Sequence, residues 1–534
     1  MTEKHSAESY YQQARIALSQ SQPQTARRLL QSGLSADSKH RNSWHLLADT
    51  HAAEGNLEQA IHTLEDAEQH FSGDADATLA LQIHKASNLV KTGDPAAAAS
   101  SITTDDFAAV KDWKLIARAG YLFAICEEHK KSLDAFNLAL NSNDSDPDLL
   151  FNAAAANRSM GNLQSAEKLY EKVIGLSAHF YPVYTLRSGL RKQTEDNNHI
   201  AQLTALAQAA DVSNEGKIHI NYALAKELED IKHYRESFSA LKRGAELKKQ
   251  SINYSVEPDL AAIDTIANTF TEHSTRKVSR EEDQGQGIIF ILGMPRTGST
   301  LVDRILSAID SVDSAGEPDT FAQLFYRAAF QASRNATGAP GNQIEAIKNS
   351  LRINFAELGR QYQEKLANRA KIKNAKTIID KNPSNYLHIG AILLALPKAK
   401  IVHVQRDPMD SCYAIYKTLF KNAHPYSYDL NDLGRYYCAY RKLMNHWKDT
   451  FPEQIHEVSY EALTRNPEKE ARELVDFCQL SWDDNCLNFY ANKTKGTATA
   501  SAAQVRQPIY TSSVGSWNHY TNELEPLRKI IQGK

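Results

Sequence analysis

The sequence predicts two fold classes in one chain: an N-terminal all-α solenoid of helix pairs, then a three-layer α/β domain with a parallel sheet. Three observations lead there. A small residue recurs at a period near 34 through the first half, at Ala26, Ala60, Ala98, Ser132, Ala166 and Ser237. Residues 274–286 are charged, glycine-bearing and without apolar periodicity, and read as a linker. Beyond them, short apolar runs alternate with long helical patterns, as parallel strands covered by helices require. The expected boundaries are a repeat domain over 8–273 with six to seven helix pairs, the linker, and an α/β domain over 287–534.

Composition bounds the function. At 534 residues the chain exceeds one typical domain. A hydrophobic content of 42% and a charged content of 23% are those of a folded chain. The net charge of −3 supplies no global basic field for nucleic acid or an anionic membrane. No apolar run approaches the ~18 residues of a membrane span, and residues 1–20 lack a signal-peptide core. The five cysteines are odd in number and lack metal-ligand spacing, so reduced thiols and a cytoplasmic location are expected.

In the first half, successive markers stand 34, 38, 34, 34 and 71 residues apart, the last being about two units. Small residues at fixed offsets let antiparallel helices approach closely, and large apolar ones fill the seams. The unit around Ala60 has Trp44, Leu47, Ala48, Gly55-Asn56, Leu64 and Ala67 at the matching offsets. The unit around Ala166 repeats Gly161-Asn162-Leu163 and adds Tyr170, while 190–215 is degenerate. These residues resemble tetratricopeptide repeats. The resemblance implies a groove that engages a protein or peptide, or else a spacer or homodimerisation element.

In the second half, Ile288 to Leu292 reads as a buried strand. It breaks at Gly293, and a helical pattern opens with Leu301, Val302, Ile305 and Leu306. Strand, glycine-bounded loop and helix surround an anion with backbone N–H groups. Gly293 and Gly298 are spaced as in a Walker A loop and Thr300 supplies the hydroxyl, but Ser299 stands where that motif has lysine. A kinase or ATPase needs that lysine. Arg296, Ser299 and Thr300 suit a smaller anion. Further strands are expected at Lys376–Asp380, Lys400–Gln405 and Gln454–Ser459. Ligands of such sheets sit beyond the strands' carboxyl ends, which makes Lys381, Arg406, Ser411 and Tyr460 candidates alongside the loop. Asp407 and Asp410 read as helix-start charges with a local salt bridge. His403, His388 and Cys412 read as structural.

Pro-Arg-Thr-Gly-Ser-Thr-Leu (295–301) resembles the 5′-phosphosulfate loop of sulfotransferases, and Val402 to Ser411 resembles their 3′-phosphate strand and helix. Gly316-Glu317, Asp380-Lys381-Asn382-Pro383 and the stretch from Ser501 to Trp517 follow in the order of the tyrosylprotein sulfotransferase branch and its repeat-bearing bacterial relatives. The resemblance implies a P-loop-like sulfotransferase domain and 3′-phosphoadenosine-5′-phosphosulfate (PAPS) as donor, without a metal. By it, Arg296, Thr297, Gly298, Ser299 and Thr300 hold the 5′-phosphosulfate, and Arg406 and Ser411 hold the 3′-phosphate. Tyr460, Arg506 and Trp517 close over the nucleotide. Glu317 is the implied catalytic base; Arg296, Lys381 and Ser501 are the implied transition-state stabilisers. Peptidyl tyrosine is the implied acceptor. The alternatives are a carbohydrate, lipid or small-metabolite acceptor, and a non-catalytic nucleotide-binding scaffold. Ser516 departs from the branch, whose members usually have a basic residue before the tryptophan.

Overall fold

The computed structural model describes residues 6–105, 107–339, 341–370, 375–491 and 509–533. Its contacts divide the chain into two compact units, one running to Lys172 and the other starting at Val173.

Helices succeed one another in pairs: α1 (Ala7–Ser19) and α2 (Pro23–Ala36), α3 (Arg41–Ala53) and α4 (Leu57–Glu68), α5 (Ala75–Thr92) and α6 (Pro95–Ser100), α7 (Trp113–Ile125) and α8 (His129–Ser142). They continue with α9 (Pro147–Met160) and α10 (Leu163–Leu176), α11 (Pro182–Ser188) and α12 (Ile200–Gln208), α13 (Asn214–Asp230) and α14 (Tyr234–Ser251). The six marker residues all fall in second helices and are all buried, at 2% exposure or less. A larger side chain at any of them would push its pair apart. Turn chemistry ends the helices as the sequence suggests. Gly93 (φ +85°) stops α5 in the left-handed region, and the Asp94 side chain accepts from the Ala97 N–H to start α6.

In the first unit the seams fill with Leu30, Leu34 and Leu47, then Leu64 and Phe71, then Ile83, Ile116 and Phe123. In the second, the short α11 precedes the degenerate stretch and the short α12 lies within it, both held by a buried carboxylate. Glu227 of α13 accepts from the Ser188 hydroxyl and from the backbone N–H and ring Nδ1 of His199.

The same unit continues with α15 (Glu257–Thr269) and α16 (Glu272–Thr275), and then the sheet and its helices. β1 (Ile288–Leu292) leads to α17 (Ser299–Leu306), β2 (Val312–Ser314), α18 (Thr320–Thr337), α19 (Gln343–Asn349) and α20 (Phe355–Ala367). β3 (Thr377–Asp380), α21 (Ile389–Ala395), β4 (Lys400–Gln405), α22 (Pro408–Tyr416) and α23 (Leu430–Thr450) follow. β5 (Ile455–Ser459), α24 (Tyr460–Arg465), α25 (Pro467–Phe477) and α26 (Glu525–Gln532) complete the order. Among the described residues, the five strands run β2-β3-β1-β4-β5, all parallel, with Ile289 opposite Lys400 and Ile379 opposite Ile289.

Alternation along β1 explains the three layers. Ile289 and Ile291 face α17 and α25 in one core with Val302, Ile305, Leu474 and Val475. Phe290 points the other way, meeting Phe321 of α18 and stacking on Tyr362 of α20. The end of the linker is tied to this unit: Gln284 donates to the Ala356 carbonyl and the Gly285 N–H donates to Gln363. Among the described residues, no helix is long and apolar enough to cross a membrane.

Candidate active site

A parallel sheet delivers all its carboxyl ends to one edge, and the strand order sets what stands beside what. Reading across, that edge carries Glu317 after β2, Lys381 after β3, the loop 293–298 after β1, Arg406 after β4 and Tyr460 after β5.

The loop after β1 is built by close backbone approach. A Cβ on Gly293 (φ +148°) would lie 2.5 Å from the Val404 carbonyl oxygen, and one on Gly298 (φ +107°) 2.6 Å from the Tyr460 ring. Arg296 itself adopts φ +67°, uncommon for a non-glycine residue. The Thr297 hydroxyl is committed to the Met294 carbonyl at 2.8 Å. Gly298 caps α17, so the first N–H groups of that helix, at Ser299 and Thr300, have no acceptor within the helix. Both side chains are buried against the loop.

Two arginines face this cradle. Arg406 donates to the Arg296 carbonyl at 3.3 Å and to the Ser513 carbonyl, and lies 5.0 Å from the centre of the Tyr460 ring. Its Nε is buried without a hydrogen-bond partner among the described residues. Desolvation pulls the Arg296 guanidinium below its usual pKa; Tyr510 and Tyr460 oppose the shift and Arg406 adds to it. Two guanidinium groups repelling each other beside helix N–H groups are relieved by an anion. A phosphate group therefore fits the residues present.

At the other end of the edge, the Lys381 ammonium is buried, with 2% of its side chain exposed, and it donates to Glu317, whose side chain is 47% exposed. A buried ammonium needs such a partner. Glu317 is set by the sheet: Gly316 (φ +72°) turns the chain, its carbonyl accepts from the Lys381 N–H, and Asn382 holds the Pro318 carbonyl and the Asp319 carboxylate. Asp380, beside Lys381, is fully buried and bonded to Tyr362 and Asn385; burial raises its carboxyl to about 7.

A strap over 509–524 crosses the β4–β5 side. The Ser513 hydroxyl meets Tyr460 Oη at 2.8 Å. Among the described residues, Asp410 does not form the local salt bridge expected of it. It is buried and accepts from the Gly515 and Trp517 N–H groups and the Ser516 hydroxyl. Asp407 caps α22 as expected, and the Ser411 hydroxyl donates to the Arg406 carbonyl at 3.3 Å. Ser516 thus anchors the strap through Asp410. Ser501 and Arg506 lie outside the described residues. His403 is buried between Tyr440 and Glu457, and His388 sits among Phe321, Phe325 and Tyr326. A cleft of about 600 Å³ lined by His273, Lys277, Ile353 and Phe355 shares no residue with this edge.

The fold and this edge define an α/β domain whose strand ends carry two arginines and a helix N-terminus, preceded by helical repeats. Residues 288–484 match the sulfotransferase family, and residues 17–83 and 147–180 match tetratricopeptide repeats. The chain therefore carries a sulfotransferase domain behind a tetratricopeptide-repeat region. An uncharacterized protein of Aquifex aeolicus is 30% identical over 415 residues, which is 76% of this chain and 54% of that protein. The chain thus spans about half of that relative's length. A putative protein-tyrosine sulfotransferase of Caenorhabditis briggsae is 24% identical over 253 residues, 46% of this chain and 84% of its own. An omega-hydroxy-beta-dihydromenaquinone-9 sulfotransferase of Mycobacterium bovis is 31% identical over 116 residues, 20% of this chain and 30% of its own.

Proposed function

We propose that the chain transfers a sulfuryl group from PAPS to an acceptor hydroxyl, with peptidyl tyrosine as the acceptor. The observation that carries this reading is the pairing of Glu317 with the buried Lys381 on the strand-end edge that also bears the Arg296 loop and Arg406.

The donor supplies an activated sulfuryl group on a phosphate leaving group. The loop from Arg296 to Thr300 binds its 5′-phosphosulfate with N–H groups, hydroxyls and one guanidinium, while Arg406 and Ser411 take the 3′-phosphate. Ser501 and Arg506 join them by the same reading. In transfer, the bond from sulfur to the phosphate oxygen breaks and one to the acceptor oxygen forms. Glu317 accepts the proton that the acceptor loses. Lys381 and Arg296 stabilise the charge that grows on the departing phosphate oxygen. Lys381 is already held at the base, so its swing toward that oxygen frees Glu317 to act.

The match to protein-tyrosine sulfotransferases of animals favours tyrosine. A second reading, a lipid or small-metabolite acceptor, draws on the menaquinone sulfotransferase. Sulfate transfer from labelled donor to a tyrosine peptide, a glycan and a long-chain alcohol separates them.

The site itself is tested by calorimetric titration with adenosine 3′,5′-bisphosphate, with ATP alongside. The expected result is micromolar binding of the bisphosphate only, weakened about 10–100-fold in Arg406→Ala, as loss of charged hydrogen bonds implies. Glu317→Gln should bind it as the wild type does yet lose about 10²–10⁴ in turnover. Preference for ATP, or no binding, sinks the reading.

A further inference from the structure

Resting on that reading, we propose that Glu229, on repeat helix α13, is a positioning residue for the donor site. It ties α22 and the C-terminal strap to the repeats.

The geometry is a single carboxylate gathering both elements. Glu229 Oε1 accepts from Tyr413 Oη at 2.7 Å, Tyr520 Oη at 3.2 Å and Lys417 Nζ at 3.2 Å, and Oε2 accepts from Lys417 at 2.9 Å. Tyr413 stands two positions after Ser411, the residue read as a 3′-phosphate ligand, and Tyr520 three after Trp517. Burial alone would raise the Glu229 carboxyl, but Lys417 and the hydrogen bonds from Tyr413, Lys417 and Tyr520 hold it below its usual value, so it is charged at neutral pH.

The rings around it make a socket. Tyr234 of α14 stacks on His519 at 4.1 Å, Tyr520 packs 4.7 Å from Tyr413 and 5.6 Å from Phe238, and its hydroxyl lies 3.4 Å from Ser237 Oγ. The strap therefore has two moorings. One is the donor edge, through Arg406, Tyr460 and Asp410. The other is the α13–α14 pair. A loose second mooring leaves Gly515 to Trp517 free to lift from Asp410 and drags on the residues that hold the nucleotide.

The test is the affinity of the full chain for adenosine 3′,5′-bisphosphate in Glu229→Gln, Tyr520→Phe and the double variant, with backbone amide exchange followed over 509–520. Each single variant should weaken binding about 3–10-fold, the worth of one such hydrogen bond. The double variant should be no weaker than the worse single one, because both break the same mooring. Exchange over 509–520 should quicken in all three, and the donor KM should rise while kcat and the acceptor KM stay near wild type. Wild-type affinity in the variants, or additive losses with unchanged exchange, overturns the proposal while leaving the sulfotransferase reading standing. Absence of binding by the wild type overturns both. Should Glu229→Gln fail to fold, Tyr520→Phe and Lys417→Met carry the same comparison.

Discussion

Asp380 and Lys381 are neighbours in sequence with opposite electrostatic circumstances. Lys381 is buried but paired, whereas Asp380 is buried among neutral hydrogen-bond donors, and its carboxyl rises to about 7. In the unfolded chain an aspartate titrates near ~3.9. Between those values the unfolded chain has released a proton that the folded chain keeps, so stability falls as pH rises through that window and levels off below it. Urea unfolding of the wild type should show this decline, with a slope of up to about 1.4 kcal/mol per pH unit, and Asp380→Asn should lack it. An unchanged slope in the variant would show that Asp380 ionises normally. At this scale the sequence was legible in placing candidate residues directly after strands, as Lys381, Arg406 and Tyr460 stand. It was not legible for Asp410, whose partner N–H at Gly515 is 105 positions away and leaves no local trace.

Among elements, β1 and β4 have the bounds read from the sequence, and β3 and β5 are each one residue shorter than read. β2 escaped because three residues cannot display alternation. Glu317 owes its position to that strand, which is why only its place in a familiar order of motifs marked it. The loop after β1 was readable because glycine is the residue that lets a helix start press against a neighbouring ring. Gly298→Ala should abolish bisphosphate binding in titration, since both the positive φ and the 2.6 Å approach to Tyr460 forbid the methyl group. Retained affinity would mean that the loop rearranges freely and is no preformed cradle. The repeats were legible by period, and their weak unit was weak for a reason now visible: α11 and α12 are short and lean on the buried Glu227.

For the whole molecule, a linker read from composition is not where contacts separate. The two units part at Lys172 and Val173, and helices α11–α16 share a unit with the sheet. Cross-links such as Arg435 with Glu257 and Lys249 with Asp429 tie them together. Composition reports solvent exposure, and residues 274–286 are largely exposed, but it does not report which bodies they join. Residues 173–534 alone should therefore fold and keep the wild-type bisphosphate affinity, whereas 274–534 should lose it through exposure of the surface under the strap. Equal affinity in the two truncations would show that the repeats contribute nothing to the proposed donor site.

The socket that α13 and α14 offer the strap also orders events in time. Helix pairs form from contacts close in sequence and fold quickly, while a parallel sheet must close long loops, such as the one joining Ile289 to Lys400. During synthesis α13 and α14 emerge well before the strap. Tyr520 thus docks onto a surface assembled beforehand, and the proposed donor site is completed by a late, templated capture rather than by collapse of the sheet alone.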